Sequence, residues 1–277
     1  MGKRVDRLIW HGHRGCRGLL PENSLPAFIR AMELGMDALE LDVVISSDKK
    51  VVVAHEPYMP HDICQKPDGT SITEAEEKSL NLYQMSYEEI RMYNCGLKHP
   101  RFEEQMPEPV HRPLLSELFS VIEAHWKSSE SSPILYTIEL KSAPEFDGSY
   151  HPNPAEFVSL VLDAIREAGT LERCILQSFD MRILREIHTH EPDANLSLLL
   201  DHEFDLTQKL RELSFVPQFL GPKFTLVNEA LINACKERLI KVVPWTVNEV
   251  SDMEHLIDLG VDGIITDYPN RKKLVRG

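Results

Sequence analysis

No long uninterrupted apolar run occurs in this chain. Charges meet every extended hydrophobic stretch, which excludes a membrane-spanning helix of about 20 residues. The opening residues, MGKRVDRLIWHGHRG, are partly basic but lack the apolar run of about 7 to 15 residues that a secretory signal needs. A cytoplasmic protein is the expectation. Gly2 does not make a myristoylation site, because Asp6 stands where Ser or Thr is wanted. Cysteine is scarce: Cys16, Cys64, Cys95, Cys174 and Cys235 are odd in number, widely spaced and form no C-x-x-C pair. A zinc site or dithiol redox motif is therefore excluded, and a reducing compartment is the simpler reading. A basic patch is missing too. With 30 basic against 44 acidic side chains the net charge is −14, which repels phosphate backbones and anionic membrane surfaces. There is no internal repeat, no low-complexity tract, and no G-x-G-x-x-G after the first apolar run to support a dinucleotide fold.

What remains is the composition of a soluble globular protein, 42% hydrophobic and 27% charged. Its 277 residues allow one domain or two. Short apolar runs alternate with amphipathic stretches almost from end to end. Strands are expected at 7–11, 37–44, 133–141, 173–179, 195–200, 216–220, 240–245 and 262–266, and helices at 24–34, 154–168, 180–190, 228–236 and 250–259. Eight strands in about 250 residues point to a (β/α)8 barrel spanning 1–277, with a doubly wound open sheet as the alternative. Residues 56–112 break the rhythm. Rich in Pro, charge and Tyr, with one weak helical signal at 87–93, they form an insertion after the second strand. A cap at the catalytic end is expected; a mobile surface loop is the alternative.

Strand parity singles out acids. Glu40 and Asp42 share one face of the second strand while Leu39, Leu41 and Val43 share the other. In the third barrel strand Glu139 and Lys141 fall on one face and Ile138 and Leu140 on the other. Apolar faces pack on the helices, so Glu40, Asp42, Glu139 and Lys141 point inward and converge at the strand ends where barrel enzymes place their active sites. Buried carboxylates this close need positive charge. Lys141 supplies one, and a divalent cation would supply two, with Mg²⁺, Ca²⁺ or Mn²⁺ favoured over zinc by all-oxygen ligands. The alternative is a structural network with Lys141 and Arg14.

Two histidines lie at the mouth of such a barrel. His13 follows the first strand in His13-Arg14-Gly15, and His55 ends the run Val51-Val52-Val53-Ala54. Two imidazoles titrating near neutrality can serve as general base and general acid on opposite sides of one displacement. His11 has the same parity but lies a layer deeper. Arg14 offers a planar fork of donors suited to phosphate, or a salt bridge to Glu40 or Asp42. Trp245 could face a substrate edge or fill the core. Asn248, Gln177 and Asp267 are weaker candidates, Asn248 as a helix cap. Cys16 reads as a small buried residue.

In these stretches the chain resembles the glycerophosphodiester phosphodiesterases. The matching pieces are His13-Arg14-Gly15 leading to Pro21-Glu22-Asn23-Ser24, LELDV with Glu40 and Asp42, VVAHE with His55, IELK with Glu139 and Lys141, QSF at 177–179, PWTVN at 244–248 and GVDGIITDYP near the end. They are ordered and run from residue 11 to residue 269. The resemblance implies a β/α barrel with an insertion after the second strand. It implies His13 and His55 as the acid/base pair, Glu40, Asp42 and Glu139 as ligands of one divalent cation, and Arg14 and Lys141 as phosphate contacts. It further implies release of sn-glycerol 3-phosphate through a cyclic phosphate. Ser24 stands where the family commonly has Thr and keeps the capping oxygen. The expected partner is a small soluble diester, with no nucleic acid and no stable membrane insertion; a homo-oligomer is compatible with the sequence. Alternatives are a barrel phosphodiesterase acting on lysophospholipids or inositol phospholipids, and a catalytically dead phospho-ligand binder.

Overall fold

The computed structural model describes residues 7–128 and 132–276. Gly2 and Asp6, on which the myristoylation argument turns, lie outside them. Eight parallel strands, β1 (Ile9–Gly12), β2 (Ala38–Ile45), β4 (Leu135–Leu140), β5 (Cys174–Ser178), β6 (Asn195–Leu200), β7 (Phe219–Pro222), β8 (Lys241–Val242) and β9 (Gly263–Thr266), run in the order β8-β7-β6-β5-β4-β2-β1-β9. A short β3 (Val51–Val53) pairs antiparallel with β2. Between β8 and β9 the ring is drawn together by main-chain bonds rather than a full ladder: the Asp262 N–H donates to the Val242 carbonyl at 2.9 Å and the Ile265 N–H to the Pro244 carbonyl at 3.0 Å. The expected (β/α)8 barrel is the fold that forms.

Helices α1 (Leu25–Glu33), α2 (Tyr87–Ile90), α3 (Leu115–Lys127), α4 (Pro154–Ala168), α5 (Met181–His190), α6 (Leu206–Leu213), α7 (Glu229–Lys236) and α8 (Val250–Leu259) fill the connections. Their starts follow local chemistry. Asn153, with Pro154 in the first turn, caps α4 by accepting from the Glu156 N–H at 3.1 Å, and Gly169 ends that helix in the left-handed region. Asp180 caps α5 and Asn228 caps α7 in the same way. α3 and α6 fall outside the expected set. α6 buries only Leu206 and Leu213, too few for a helical period, whereas α3 carries a clear one at Leu115, Leu118, Phe119 and Ile122.

Parity sorts the barrel as expected. Leu39, Leu41, Val43, Tyr136, Ile138 and Leu140 face outward into the main core against the helices, together with Phe28 and Ala31 of α1. Phe28 is fully buried, and truncating it to Ala would cost about 3–5 kcal/mol. Inside the barrel, Ile175, Phe219, Val243 and Ile265 form a small apolar floor. The register pairs Glu40 with Thr137, Asp42 with Glu139, and Glu139 with Gln177. Three inward acids are thereby adjacent on neighbouring strands.

The segment between β3 and α3 is a packed unit. Met59, Ile63, Cys64, Ile72, Leu82, Tyr87, Ile90 and Cys95 make an apolar core of their own with Val44, Val52 and Ala54. The helical signal expected at 87–93 is one turn, α2, closed by a capping box between Ser86 and Glu89. Cys64 and Cys95 are joined as a disulfide, against the reducing-compartment reading of the cysteine pattern. Their separation of 31 residues hid the pairing, but the adjacent Gln65 and Asn94 exchange main-chain hydrogen bonds at 2.7 and 3.1 Å and bring the two together. Cys16, Cys174 and Cys235 are free and buried, and burial pushes the Cys16 thiol up to about 12.

Candidate active site

A cavity of about 490 Å³ opens at the C-terminal end of the barrel strands. His13, Arg14, Glu40, His55, Glu139, Lys141 and Trp245 all line it, as do Gln177, Asn248 and Asp267. Asp42 lies just beneath, almost fully buried. His11 is elsewhere: its ring is enclosed in the barrel, Nδ1 2.9 Å from Thr137 Oγ1, and burial drives its pKa down to about 3.

The turn after β1 builds one wall. Arg14 takes φ 48° and directs its N–H to Glu40 Oε2 at 3.0 Å. Gly15 follows with φ 84°, and a Cβ there would sit 2.7 Å from the Ala27 backbone, so the third residue of His13-Arg14-Gly15 has to be glycine. Asn23 then donates to Asp42 Oδ2 at 2.9 Å and orients that carboxylate.

Glu40, Asp42 and Glu139 each offer an oxygen within 4.8 Å of the others. Burial, with Asp42 alongside, holds the Glu40 carboxyl far above its usual range. Burial pushes Glu139 up to about 7, against the pull of Lys141. Asp42 goes the other way: Arg14, His55 and Lys141 overcome its burial and keep it ionised. The cluster is short of positive charge. Oxygen ligands bind Mg²⁺ or Ca²⁺ at about 2.0 to 2.6 Å, so oxygens at this spacing fit around one hard cation, and the donor set suits those ions rather than zinc.

Each histidine is backed by a carboxylate. His13 Nδ1 lies 2.6 Å from Asp267 Oδ1, and its Nε2 is 3.8 Å from Glu40 Oε2. His55 Nδ1 lies 2.6 Å from Glu56 Oε1, and its Nε2 is 3.1 Å from Lys141 Nζ. An ammonium can only donate, so His55 Nε2 accepts and Nδ1 carries the hydrogen. Asp267, held at about 2 against its burial by His13, is likewise an acceptor for the His13 Nδ1–H. Burial pushes the His13 pKa down and Asp267 pulls it part of the way back. For His55, burial and then Arg14 bring it to about 4.

Arg14 and Lys141 are also engaged with carboxylates. Arg14 Nη1 lies 2.9 Å from Glu22 and Nε 3.3 Å from Asp42, while Lys141 Nζ donates to Glu139 at 2.7 Å. Trp245 donates its indole N–H to the Gly221 carbonyl at 2.8 Å and meets Phe179 edge-on, and both rings line the cavity. Asn248 does not cap α8. It donates to Asp267 Oδ2 at 2.8 Å and accepts from the Asp267 N–H, while Glu249 occupies the cap position without a side-chain bond.

The match to known proteins is decided by coverage. Residues 13–271 fit the model of the glycerophosphoryl diester phosphodiesterase family. This chain belongs to that family. A glycerophosphodiester phosphodiesterase from Caldanaerobacter subterraneus subsp. tengcongensis is 33% identical over 93% of both chains. A crystal structure described as a glycerophosphoryl diester phosphodiesterase, from Silicibacter pomeroyi, superposes with TM-score 0.87 at 30% identity, covering 98% of this chain and 93% of that one. An Oleispira antarctica phosphodiesterase solved with its product sn-glycerol-3-phosphate shares the fold, with TM-score 0.76 at 19% identity over 96% and 95% of the two chains. Members of the glycerophosphoryl diester phosphodiesterase family are phosphoric diester hydrolases, and so is this chain. No helix among the described residues is long and apolar enough to cross a membrane.

Several residues at the site were not singled out from the sequence. Glu22 pairs with Arg14, Glu56 backs His55, and Arg17, Arg101, Phe102 and Phe179 line the cavity. Glu22 stands inside Pro21-Glu22-Asn23-Ser24 and Glu56 follows His55 directly, so proximity to a motif is the available signal. Nothing local marks Arg101, which reaches the cavity from the insertion.

Proposed function

We propose that this protein hydrolyses glycerophosphodiesters to sn-glycerol 3-phosphate and an alcohol, with His13 and His55 as the acid/base pair. The observation that carries the reading is that both imidazoles have Nδ1 held by a carboxylate, while His13 Nε2 lies 3.8 Å from Glu40 and His55 Nε2 accepts from Lys141, the ammonium that also holds Glu139. One Nε2 removes the proton of the glycerol 2-hydroxyl, whose oxygen attacks phosphorus. The other, entering as the imidazolium with its Nδ1–H still held by its carboxylate, delivers its Nε2 proton to the departing alkoxide, leaving a five-membered cyclic phosphate. Water then opens the ring with the two roles exchanged. Glu40, Asp42 and Glu139 would hold one divalent cation, Mg²⁺, Ca²⁺ or Mn²⁺, which when bound supplies Lewis-acid stabilisation of charge on the phosphoryl oxygens. Arg14 and Lys141 contact the phosphate while remaining anchored by Glu22 and Glu139. Trp245 packs on the apolar edge of glycerol.

Residues 56–112 act as a cap on this reading. Arg101 and Phe102 line the cavity, and the segment is tied to the turn after β1 where Gln105 Nε2 donates to the Arg17 carbonyl at 2.7 Å and the Met106 N–H to the Leu19 carbonyl at 2.9 Å. The test is product identity: glycerophosphocholine should give sn-glycerol 3-phosphate, and the analogue lacking the 2-hydroxyl should stay intact. Equal turnover of both would remove the cyclic route; no turnover of the natural diester with cation present would remove the activity.

A further inference from the structure

A second cavity, of about 220 Å³, shares part of its wall with the first and is lined largely by the insertion. Arg14, Arg17, His55 and Arg101 line both cavities, so the side chamber adjoins the place beside His55 where a diester's phosphate would sit. The chamber walls carry charges of both signs, and most are already matched. Glu22 is held by Arg14 at 2.9 Å and by Arg17 at 3.3 Å, Glu56 by His55 at 2.6 Å, and Glu77 by His61 at 2.7 Å. Two groups are less closely matched. Among the described residues Asp62 meets only His99 Nε2, at 3.7 Å and outside hydrogen-bond distance, and the Arg101 guanidinium makes no ion pair.

We infer that this chamber receives the leaving alcohol and selects a neutral polyol head group. The inference rests on the phosphodiesterase reading above. A carboxylate with no hydrogen bond of its own accepts them from a ligand and a guanidinium with no ion pair donates them, which together satisfy neighbouring hydroxyls. Apolar lining is limited to Pro60 and Ile63, and beside the imidazoles of His55, His61 and His99 the chamber wall has a single phenol ring, Tyr58. A quaternary ammonium needs several aromatic faces and no competing cations, and here it would meet Arg17 and Arg101. A hydroxyl left unmatched, or a charged wall group left without one, lowers affinity by a measurable factor.

The experiment compares glycerophosphoinositol with glycerophosphocholine on the full chain in the presence of divalent cation, reading sn-glycerol 3-phosphate, with Asp62→Asn and Asp62→Ala alongside. The expected wild-type kcat/KM favours the inositol diester by about tenfold or more. Each Asp62 variant should raise KM for that diester by about tenfold with kcat little altered, and move the choline diester by less than about twofold. Thermal melting at the wild-type temperature keeps a folding defect out of the comparison. Release from both diesters with equal kcat/KM, or an equal loss on both in the variants, overturns the polyol chamber and leaves the activity standing. No release from either diester overturns the activity itself and the chamber with it.

Discussion

Asp267 and His13 lie 254 residues apart in the chain and 2.6 Å apart in space. β1 and β9 are hydrogen-bonded neighbours, with Gly12 opposite Thr266, so the residues just past their ends meet at the cavity mouth. Asn248 holds the far oxygen of Asp267 at 2.8 Å. The imidazole is thus set in one tautomer by a carboxylate that is itself oriented by an amide.

Asp267→Asn should lower kcat by about 10- to 100-fold, because the ring loses both its orientation and a charge that favours the imidazolium. Asp267 raises the His13 pKa, so the limb of the pH–rate profile that reports His13 should move to lower pH. An unchanged profile with a lowered melting temperature would assign Asp267 a purely structural role.

His13→Ala and His55→Ala should each reduce kcat by about 10²- to 10⁴-fold in a folded protein. Near-normal turnover in either variant contradicts the two-histidine scheme. Glu56→Gln should show a smaller loss than His55→Ala, since it removes only the group behind Nδ1.

Cation binding should stabilise the fold more at pH 8 than at pH 5. Glu139 is pushed up to about 7 from an ordinary 4.5, so in the cation-free protein its proton stabilises the fold below pH 4.5 and that contribution is lost as pH rises through 7. A cation replaces the proton, and the melting-temperature gain on adding Mn²⁺ or Ca²⁺ should grow across this window. The imidazoles carry the opposite dependence. His11 and His55 sit at about 3 and about 4 against 6.5, so their contribution is present above pH 6.5 and lost as pH falls through those values. A cation-induced shift independent of pH would argue against binding at these carboxylates.

Trp245→Ala should raise KM more than it lowers stability, and Trp245→Phe should keep most of the wall while losing the bond to Gly221. An unchanged KM with a lower melting temperature would make Trp245 core filler.

Protein denatured without reductant should titrate three thiols, and five after reduction, because Cys64 and Cys95 are joined. Closing a loop of this length is worth about 3 to 4 kcal/mol in the chain-entropy account, so reduction should lower the stability of the insertion.

The sequence made the barrel legible because two periods are written into it: alternation at Glu40 and Asp42 against Leu39, Leu41 and Val43, and helical spacing between the runs. The same alternation carried the three acids to one face before any contact was known. What escaped is pairing between distant residues. Asp267 behind His13 and Asn248 behind Asp267 depend on which strand ends become neighbours, and Cys64 with Cys95 depends on how the insertion doubles back. Strand limits also moved. The first strand runs 9–12 rather than 7–11, and the seventh barrel strand shrinks to Lys241–Val242, because the chain leaves the ladder to carry Trp245 and Asn248 to the cavity.

Release of sn-glycerol 3-phosphate from a panel of glycerophosphodiesters by cation-stripped protein, with and without added Mg²⁺, Ca²⁺ and Mn²⁺, bears most directly on the activity. Release that depends on an added cation, and that is abolished with Glu40→Gln or Glu139→Gln in a folded protein, is the expected result. Full turnover by the stripped protein, or no turnover of any diester with cation supplied, would contradict it.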